Sequence, residues 1–282
     1  GQYNTAVGYR ALEEFTTGNY NAILGQEAGE KITTGESNNL FGYRAGRNIT
    51  SGGSNIVIGS EAQRDENVSS VVAIGSRAGL YNSGNDNVYL GDTAGRNSGA
   101  GVDQVIIGHD AGYYAHNDDV VLIGESAGYY ATGSQNTFVG KEAGKGGITS
   151  APYSSGQYNT AVGYQALVAF TTGGQNVAIG RQAGIAITSG DDNIVIGKSV
   201  ATNLTTGTNN IAIGEDALDL ENSGTYAIAI GYRAGYKNRI SDVNYNTFMG
   251  YNAGREVSTG NHNTFLGNHA GYGADGSDAD NN

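Results

Sequence analysis

The stretch GQYNTAVGYQALVAFTTG at residues 156–173 repeats the first eighteen residues of the chain almost identically. Only three positions differ: Arg10, Glu13 and Glu14 are replaced by Gln165, Val168 and Ala169. A shorter unit recurs inside this repeat, in which a polar residue, usually Asn, precedes three mostly apolar residues and a Gly. We number this closing Gly as position 0, so that the Asn stands at position −4 and the apolar triplet at positions −3 to −1.

The short unit occurs sixteen times, which makes the whole chain repetitive. Its closing glycines are Gly8, Gly25, Gly42, Gly59, Gly75, Gly91, Gly108, Gly124, Gly140, Gly163, Gly180, Gly197, Gly214, Gly231, Gly250 and Gly267. The spacing between successive glycines is nearly constant, except for longer intervals before Gly163 and before Gly250, which we interpret as insertions. A regular period is typical of repeat architectures.

Each unit contains an apolar triplet, a Gly turn, an Ala at position +3, often an apolar residue at position +7, and a Thr-Gly or Ser-Gly turn. The segments between turns have strand length and leave no room for a helix. The pattern predicts an all-β parallel β-solenoid of about 16 coils with a ~17-residue repeat. We assign residues 1–271 to this repeat domain, as two similar blocks, 1–155 and 156–271. We expect residues 272–282 to be an acidic tail or linker.

The apolar triplet predicts burial on both faces of the sheet, because residues alternate sides along a strand. We expect position −1 to point into the core and position −2 to face a neighbouring chain, with three-fold self-association closing the apolar stripe. Accordingly, Val195→Asp should disrupt assembly and Ile196→Asp should unfold the coil. The alternative is that the residues at position −2 form a second inner layer within one chain.

The Asn at position −4 occurs in twelve units and predicts a ladder of side-chain hydrogen bonds from coil to coil. The ladder residues are Asn4, Asn21, Asn38, Asn55, Asn87, Asn136, Asn159, Asn176, Asn193, Asn210, Asn246 and Asn263.

Tyrosine is the enriched reactive side chain, with 19 copies. Tyr113, Tyr114, Tyr129 and Tyr130 follow Ala-Gly in neighbouring units and are therefore expected to stack as a patch. Such a patch could contact a glycan or a partner protein, since aromatic faces pack against both. Alternatively, it stiffens the solenoid through cross-strand stacking.

Other functional classes find little support in the sequence. A net charge of −12 argues against a nucleic-acid partner. The chain lacks Cys and any apolar run long enough to insert into a membrane. We find no catalytic or metal-binding motif and no cofactor signature. The four histidines, His109, His116, His262 and His269, are expected to lie on surface loops. We therefore expect a protein that is not an enzyme.

The run NTAVGYQAL followed by TTG resembles repeats of bacteriophage tail fibres and of bacterial tail-fibre-domain proteins. Its strand motif is similar to that of trimeric autotransporter adhesin heads, although the unit here is longer. The resemblance implies a left-handed, trimeric, extracellular fibre on a cell surface or virion, with a glycan or protein as receptor. A self-assembling extracellular filament subunit and, less well supported, an ice-binding solenoid are the alternatives.

Overall fold

The computed structural model describes residues 1–147, 153–239 and 243–273. These residues contain sixteen short strands and no helix that is long and apolar enough to cross a membrane. The chain forms two compact units, Gly1–Gln135 and Asn136–Asn282. The first unit contains β1 (Thr5–Val7), β2 (Ala22–Leu24), β3 (Asn39–Phe41), β4 (Ile56–Ile58), β5 (Val72–Ile74), β6 (Val88–Leu90), β7 (Val105–Ile107) and β8 (Val121–Ile123). The second contains β9 (Thr137–Val139), β10 (Thr160–Val162), β11 (Val177–Ile179), β12 (Ile194–Ile196), β13 (Ile211–Ile213), β14 (Ile228–Ile230), β15 (Thr247–Met249) and β16 (Thr264–Leu266).

Within each unit, every strand pairs in parallel with the next strand along the chain, and equivalent positions lie in register. Ile194 of β12, for example, pairs with Ile211 of β13. The register also survives the longest insertion, because Thr137 of β9 pairs with its equivalent Thr160 of β10. This architecture confirms the predicted parallel β-solenoid and its short, regular repeat.

The turns between strands are also bonded from coil to coil. The backbone N–H of Glu27 donates to the carbonyl of Tyr9 at 2.8 Å, and that of Gly29 donates to Ala45 at 3.0 Å. Because the partners lie one coil away, the turn segments do not close into helices. This coil-to-coil bonding satisfies buried backbone groups along most of each coil.

In every short repeat except the last, the closing Gly is required by both its backbone conformation and its surroundings. Gly180 has a φ of +129°, a conformation that is essentially confined to glycine. A Cβ atom added there would lie 2.2 Å from the carbonyl oxygen of Gly197 in the next coil. Stacked coils therefore approach each other at these glycines too closely for any side chain.

The interior of each compact unit is filled by the side chains at positions −2, +3 and +7 of the short repeats. In β12 the middle residue, Val195, is fully buried, together with the residue at +3, Val200, and the residue at +7, Leu204. At position +3, Ala occupies almost every coil and is fully buried in the coils between the two ends. The strict preference for Ala there reflects direct packing in the core.

The expected orientation of the triplet side chains is wrong. Position −2 points into the core of its own chain, while positions −3 and −1 point outward. Val195 is 0% exposed, whereas its neighbour Ile194 is 38% exposed and Ile196 is partly exposed. The prediction failed because most triplets are apolar at all three positions, so alternation alone is compatible with either orientation of the side chains. Val195 therefore belongs to the core, and Ile196 to the surface.

The boundary between the two compact units falls between residues 135 and 136 of the sequence. The blocks 1–155 and 156–271 were drawn from sequence similarity, and that division stays a prediction. Of the expected acidic tail, residues 274–282 lie outside the described residues.

Candidate functional site

The outer side of the parallel sheet is the most distinctive surface of each unit. We define the outward face as positions −3 and −1 of every strand. Two columns border it: the leading-edge column at position −5, from Tyr3 to His262, and the trailing-edge column at position +1, from Tyr9 to Asn268. Tyrosines recur in both border columns, as Tyr158 and Tyr164 do beside β10.

Large apolar side chains are exposed almost exclusively on this surface. Among the described residues, all such side chains except Tyr81, Val243 and Tyr272 belong to the outward face or to its two border columns. Leu24 at position −1 is 51% exposed, and Tyr158 in the leading-edge column is 56% exposed. A parallel sheet normally has both faces covered. Here the chain covers only one of them.

The size of this surface follows from strand geometry. Eight strands spaced about 4.8 Å apart give a length of roughly 34 Å for each unit. Four columns separated by two residues each would span roughly 20 Å if fully extended, and the left-handed backbone at position −5 makes the actual width smaller. The area is therefore at most about 700 Å² per unit, below the ~800 Å² that one partner buries in a standard protein interface. It includes polar border residues such as Asp86 and Lys198, so the apolar part is confined mainly to positions −3 and −1.

The Asn ladder lies inside the solenoid, beside the sheet. The Oδ1 atom of Asn176 accepts hydrogen bonds from the backbone N–H and the Nδ2 of Asn193, both at 3.0 Å. Its Nδ2 donates to Oδ1 of Asn159 at 3.1 Å and to the carbonyl of Gly190 at 2.8 Å. These side chains thus hold neighbouring coils together and join each strand to the following turn. All of them except Asn4 in the first coil are buried and do not reach an external ligand.

The ladder position holds Val71, Gln104, Val120 and Ala227 in the remaining coils. Gln104 joins a buried polar network, in which its Oε1 accepts a hydrogen bond from the hydroxyl of Tyr89 at 2.6 Å. The same hydroxyl lies 3.2 Å from Oγ of Ser98. Burial raises the pKa of Tyr89 far above its ordinary value, so the phenol stays neutral. This network places hydrogen-bonded polar groups within the core of the first unit.

The four tyrosines singled out from the sequence stack in two pairs. The ring centroids of Tyr113 and Tyr129 are 5.1 Å apart, and those of Tyr114 and Tyr130 are 5.9 Å apart. Arg96 covers the other side of Tyr113, with its guanidinium carbon 5.3 Å from the ring centroid. Burial, with a contribution from Asp110, raises the pKa of Tyr129 to about 12. Since these rings face one another along the solenoid, the arrangement suits a stiffening ladder better than a platform for a sugar.

Charged side chains at position +2 form a second coil-to-coil row beside the turn. Arg44 Nε donates to Glu27 at 2.7 Å, and Arg77 Nε donates to Glu61 at 3.1 Å. Close by, Arg47 bonds to the buried Glu30. The hydrogen bond from Arg47 holds the pKa of Glu30 below its usual range. These pairs connect coils and do not converge on a common ligand position.

Other candidate sites carry little chemistry. All four histidines are exposed. Within the described ranges there is no group of three or more His, Cys, Asp or Glu side chains that could hold a metal ion. A recess of about 310 Å³ is lined by Asn203, Leu220, Glu221, Asn222, Ser223 and Arg239. Glu221 there accepts backbone hydrogen bonds from Asn222 and Gly224 at 3.0 and 2.8 Å, which gives it a structural role.

The fold and this surface define the chain as a β-solenoid repeat protein with an uncovered apolar sheet face. Comparisons with protein-family models, with curated proteins and with solved structures found no match. The sequence interpretation missed the leading-edge tyrosines as a group. The available signal was that Tyr3, Tyr20, Tyr158, Tyr226 and Tyr245 all stand directly before a ladder Asn or its equivalent.

Proposed function

We propose that the chain is a structural segment of a trimeric, extracellular fibre that attaches a cell or a virion to a surface. The observation that carries this proposal is the apolar outward face of each compact unit, which tyrosines border in several coils. A contiguous stripe of exposed apolar side chains along a sheet is typical of a surface that binds a partner. Self-association covers the same surface on every copy, and a closed ring leaves none of it exposed.

The internal construction also supports a mechanical role. Asn side chains, turn backbone groups and stacked rings all form contacts from one coil to the next, along the direction in which the coils stack. Each coil contacts only its neighbours, so added repeats lengthen the structure without changing its topology. The near-identity of residues 1–18 and 156–173 fits growth by duplication. A glycan or protein receptor remains part of the proposal, and a glycan array probed with the assembled protein tests it.

An ice-binding role fits the threonines less well. The hydroxyl of Thr171 donates to the carbonyl of Thr188 at 3.0 Å, and that of Thr188 donates to Thr205 at 3.1 Å. These hydroxyls are therefore used between coils, in short rows. A filament subunit would use the same apolar face or the ends of the solenoid, and it differs from a trimer by forming particles of unlimited length.

The proposal is tested by placing a charge on the outward face. Ile194→Asp introduces a carboxylate on the outward face, where it would be buried between chains. We expect the variant to keep the far-ultraviolet circular dichroism of the original chain but to sediment as a monomer, because an unpaired charge at an interface is costly.

Tyr81→Asp is the matched control. Tyr81 is 44% exposed, similar to Ile194, but lies outside the outward face. This variant should sediment like the original chain. The proposal is contradicted if the original chain sediments as a monomer, or if Ile194→Asp and Tyr81→Asp assemble equally well.

A further inference from the structure

In six of the sixteen coils the two border columns carry the same uncharged residue. Tyrosine stands at both edges in the coils of β1, β10, β14 and β15, and serine stands at both edges in the coils of β4 and β5. In the coil of β12 the edges carry opposite charges, Asp192 and Lys198. Only Tyr20 and Tyr43 lack a tyrosine at the opposite edge.

Contacts within one chain do not explain this match. Positions −5 and +1 of a coil lie beyond opposite ends of an extended three-residue strand, so they are farther apart than its length of about 7 Å. The ring contacts of the border tyrosines instead run along each column. Tyr226 stacks on Tyr245 at 5.3 Å, and Tyr232 stacks on Tyr251 at 5.2 Å. The two edges therefore belong to separate stacks.

We propose that copies of this chain pack side by side, parallel and in register. The leading-edge column of one copy then contacts the trailing-edge column of the next copy at the same coil. This inference rests on the proposed self-association and specifies its geometry. Rotation about an axis parallel to the coil stack brings opposite edges together at equal height. An antiparallel arrangement would instead bring like edges together at different coils, and a match within one coil would then serve no purpose.

The arrangement gives the border residues defined roles. Tyrosines that already stack along each column meet a second stack from the neighbouring copy, which extends the aromatic contact across the interface. Lys198 bonds to Glu215 of its own chain at 2.6 Å, and in the proposed register Asp192 of the neighbouring copy lies beside this pair. In the coils of β6 and β8 both edges are acidic, with Asp86 and Asp92 in the first and Asp119 and Glu125 in the second, so salt should strengthen association there by screening the repulsion.

The absence of cysteine from the chain allows a direct test by disulfide trapping. The double variant Tyr158→Cys/Tyr164→Cys places thiols at both edges of one coil. A disulfide requires Cα atoms within about 7 Å, so the two thiols of one chain cannot react with each other. We expect oxidation to link neighbouring copies into closed covalent oligomers that are visible on non-reducing gels. Asp192→Cys/Lys198→Cys should crosslink in the same way. It tests the same contact in another coil, in case the first variant does not fold.

The control is the double variant Tyr158→Cys/Glu215→Cys, whose two positions lie three coils apart. It should remain uncrosslinked, as should each single variant. Assembly without crosslinking of the matched pairs, or equal crosslinking of the mismatched pair, would overturn the in-register inference but leave self-association intact. A monomeric mass for the uncrosslinked proteins would instead refute the proposed function itself.

Discussion

Aspartate substitutions at two adjacent residues of β12 should have very different effects on the stability of the chain. Val195 is 0% exposed and pairs in register with Ala178 and Ala212 of the neighbouring strands. Ile194, one residue earlier, is 38% exposed on the outward face. Val195→Asp therefore places a carboxyl group inside the solenoid, whereas Ile194→Asp leaves it in contact with water in a single chain.

The size of each effect follows from this difference in burial. Loss of a fully buried Val removes about 1.5–3 kcal/mol of apolar burial. Keeping the new carboxyl neutral at pH 7 costs roughly 4 kcal/mol more, given an unperturbed Asp pKa near 3.9. The sum of about 5–7 kcal/mol is comparable with the whole stability of many domains. Ile194→Asp loses only the covered part of one side chain, so we expect a cost of about 1–2 kcal/mol.

Guanidinium unfolding followed by far-ultraviolet circular dichroism measures both effects. It should be done at a concentration at which the Ile194→Asp variant is monomeric, because assembly itself raises apparent stability. We expect Val195→Asp to be unfolded or to lose most of its unfolding free energy, with the midpoint of Ile194→Asp only slightly lowered. A Val195→Asp variant with an unchanged midpoint, beside an unfolded Ile194→Asp variant, would refute the assignment of the two sheet faces.

Three further substitutions test the coil-to-coil contacts. Gly180→Ala should destabilise the chain by about 3 kcal/mol or more, because the added Cβ meets the carbonyl of the next coil in a conformation that only glycine tolerates. Asn176→Ala should cost about 3 kcal/mol, because it leaves a buried N–H and a buried carbonyl without their side-chain partner. Arg47→Met should flatten the loss of stability in acid. Because Arg47 lowers the folded pKa of Glu30, that contribution is present above the unfolded Glu pKa near 4.3 and disappears as the pH falls through the folded pKa.

Chemical denaturation measures all three effects, the last of them as a function of pH. Gly147→Ala is the control for Gly180→Ala, because its nearest neighbour would be the Thr171 methyl at 3.2 Å and its φ lies outside the glycine-only region. It should change stability by less than about 1 kcal/mol. Equal effects of the two Gly substitutions, an Asn176→Ala variant as stable as the original chain, or an unchanged acid transition in Arg47→Met would each contradict the corresponding contact.

The sequence was sufficient to predict the strands and their parallel order. Regular glycines set the turns, and the apolar triplets between them are too short for anything but strands. Insertions before Gly163 and Gly250 were also correctly placed between strands, because the triplet pattern resumes unchanged after them.

Which side chains of the triplet face the core could have been predicted by combining two signals in the sequence. Polar residues occur at position −3, as in Asn39, Thr137 and Thr160, but never at position −2. Position −4 also shares a strand face with position −2, so an internal Asn ladder requires position −2 to be internal. Each signal alone is weak, but together they identify the outward face.

The buried network around Tyr89 could not be predicted from the sequence. Its partner Gln104 belongs to the next coil, so the contact depends on the exact packing of two coils. A tyrosine at position −2 is equally compatible with a cavity or a local shift of the strand. Likewise, the border columns can be recognised only after it is known which face of the sheet points outward.

The most direct test of the proposed self-association is the absolute mass in solution of the unmodified 29.0 kDa chain, measured by light scattering over a dilution series. A constant mass of three chains is the predicted result, because a closed ring buries the outward face of every copy. A monomer at all concentrations would contradict the assignment of the apolar face to assembly. Particles that grow with concentration would contradict a closed trimer and favour the filament.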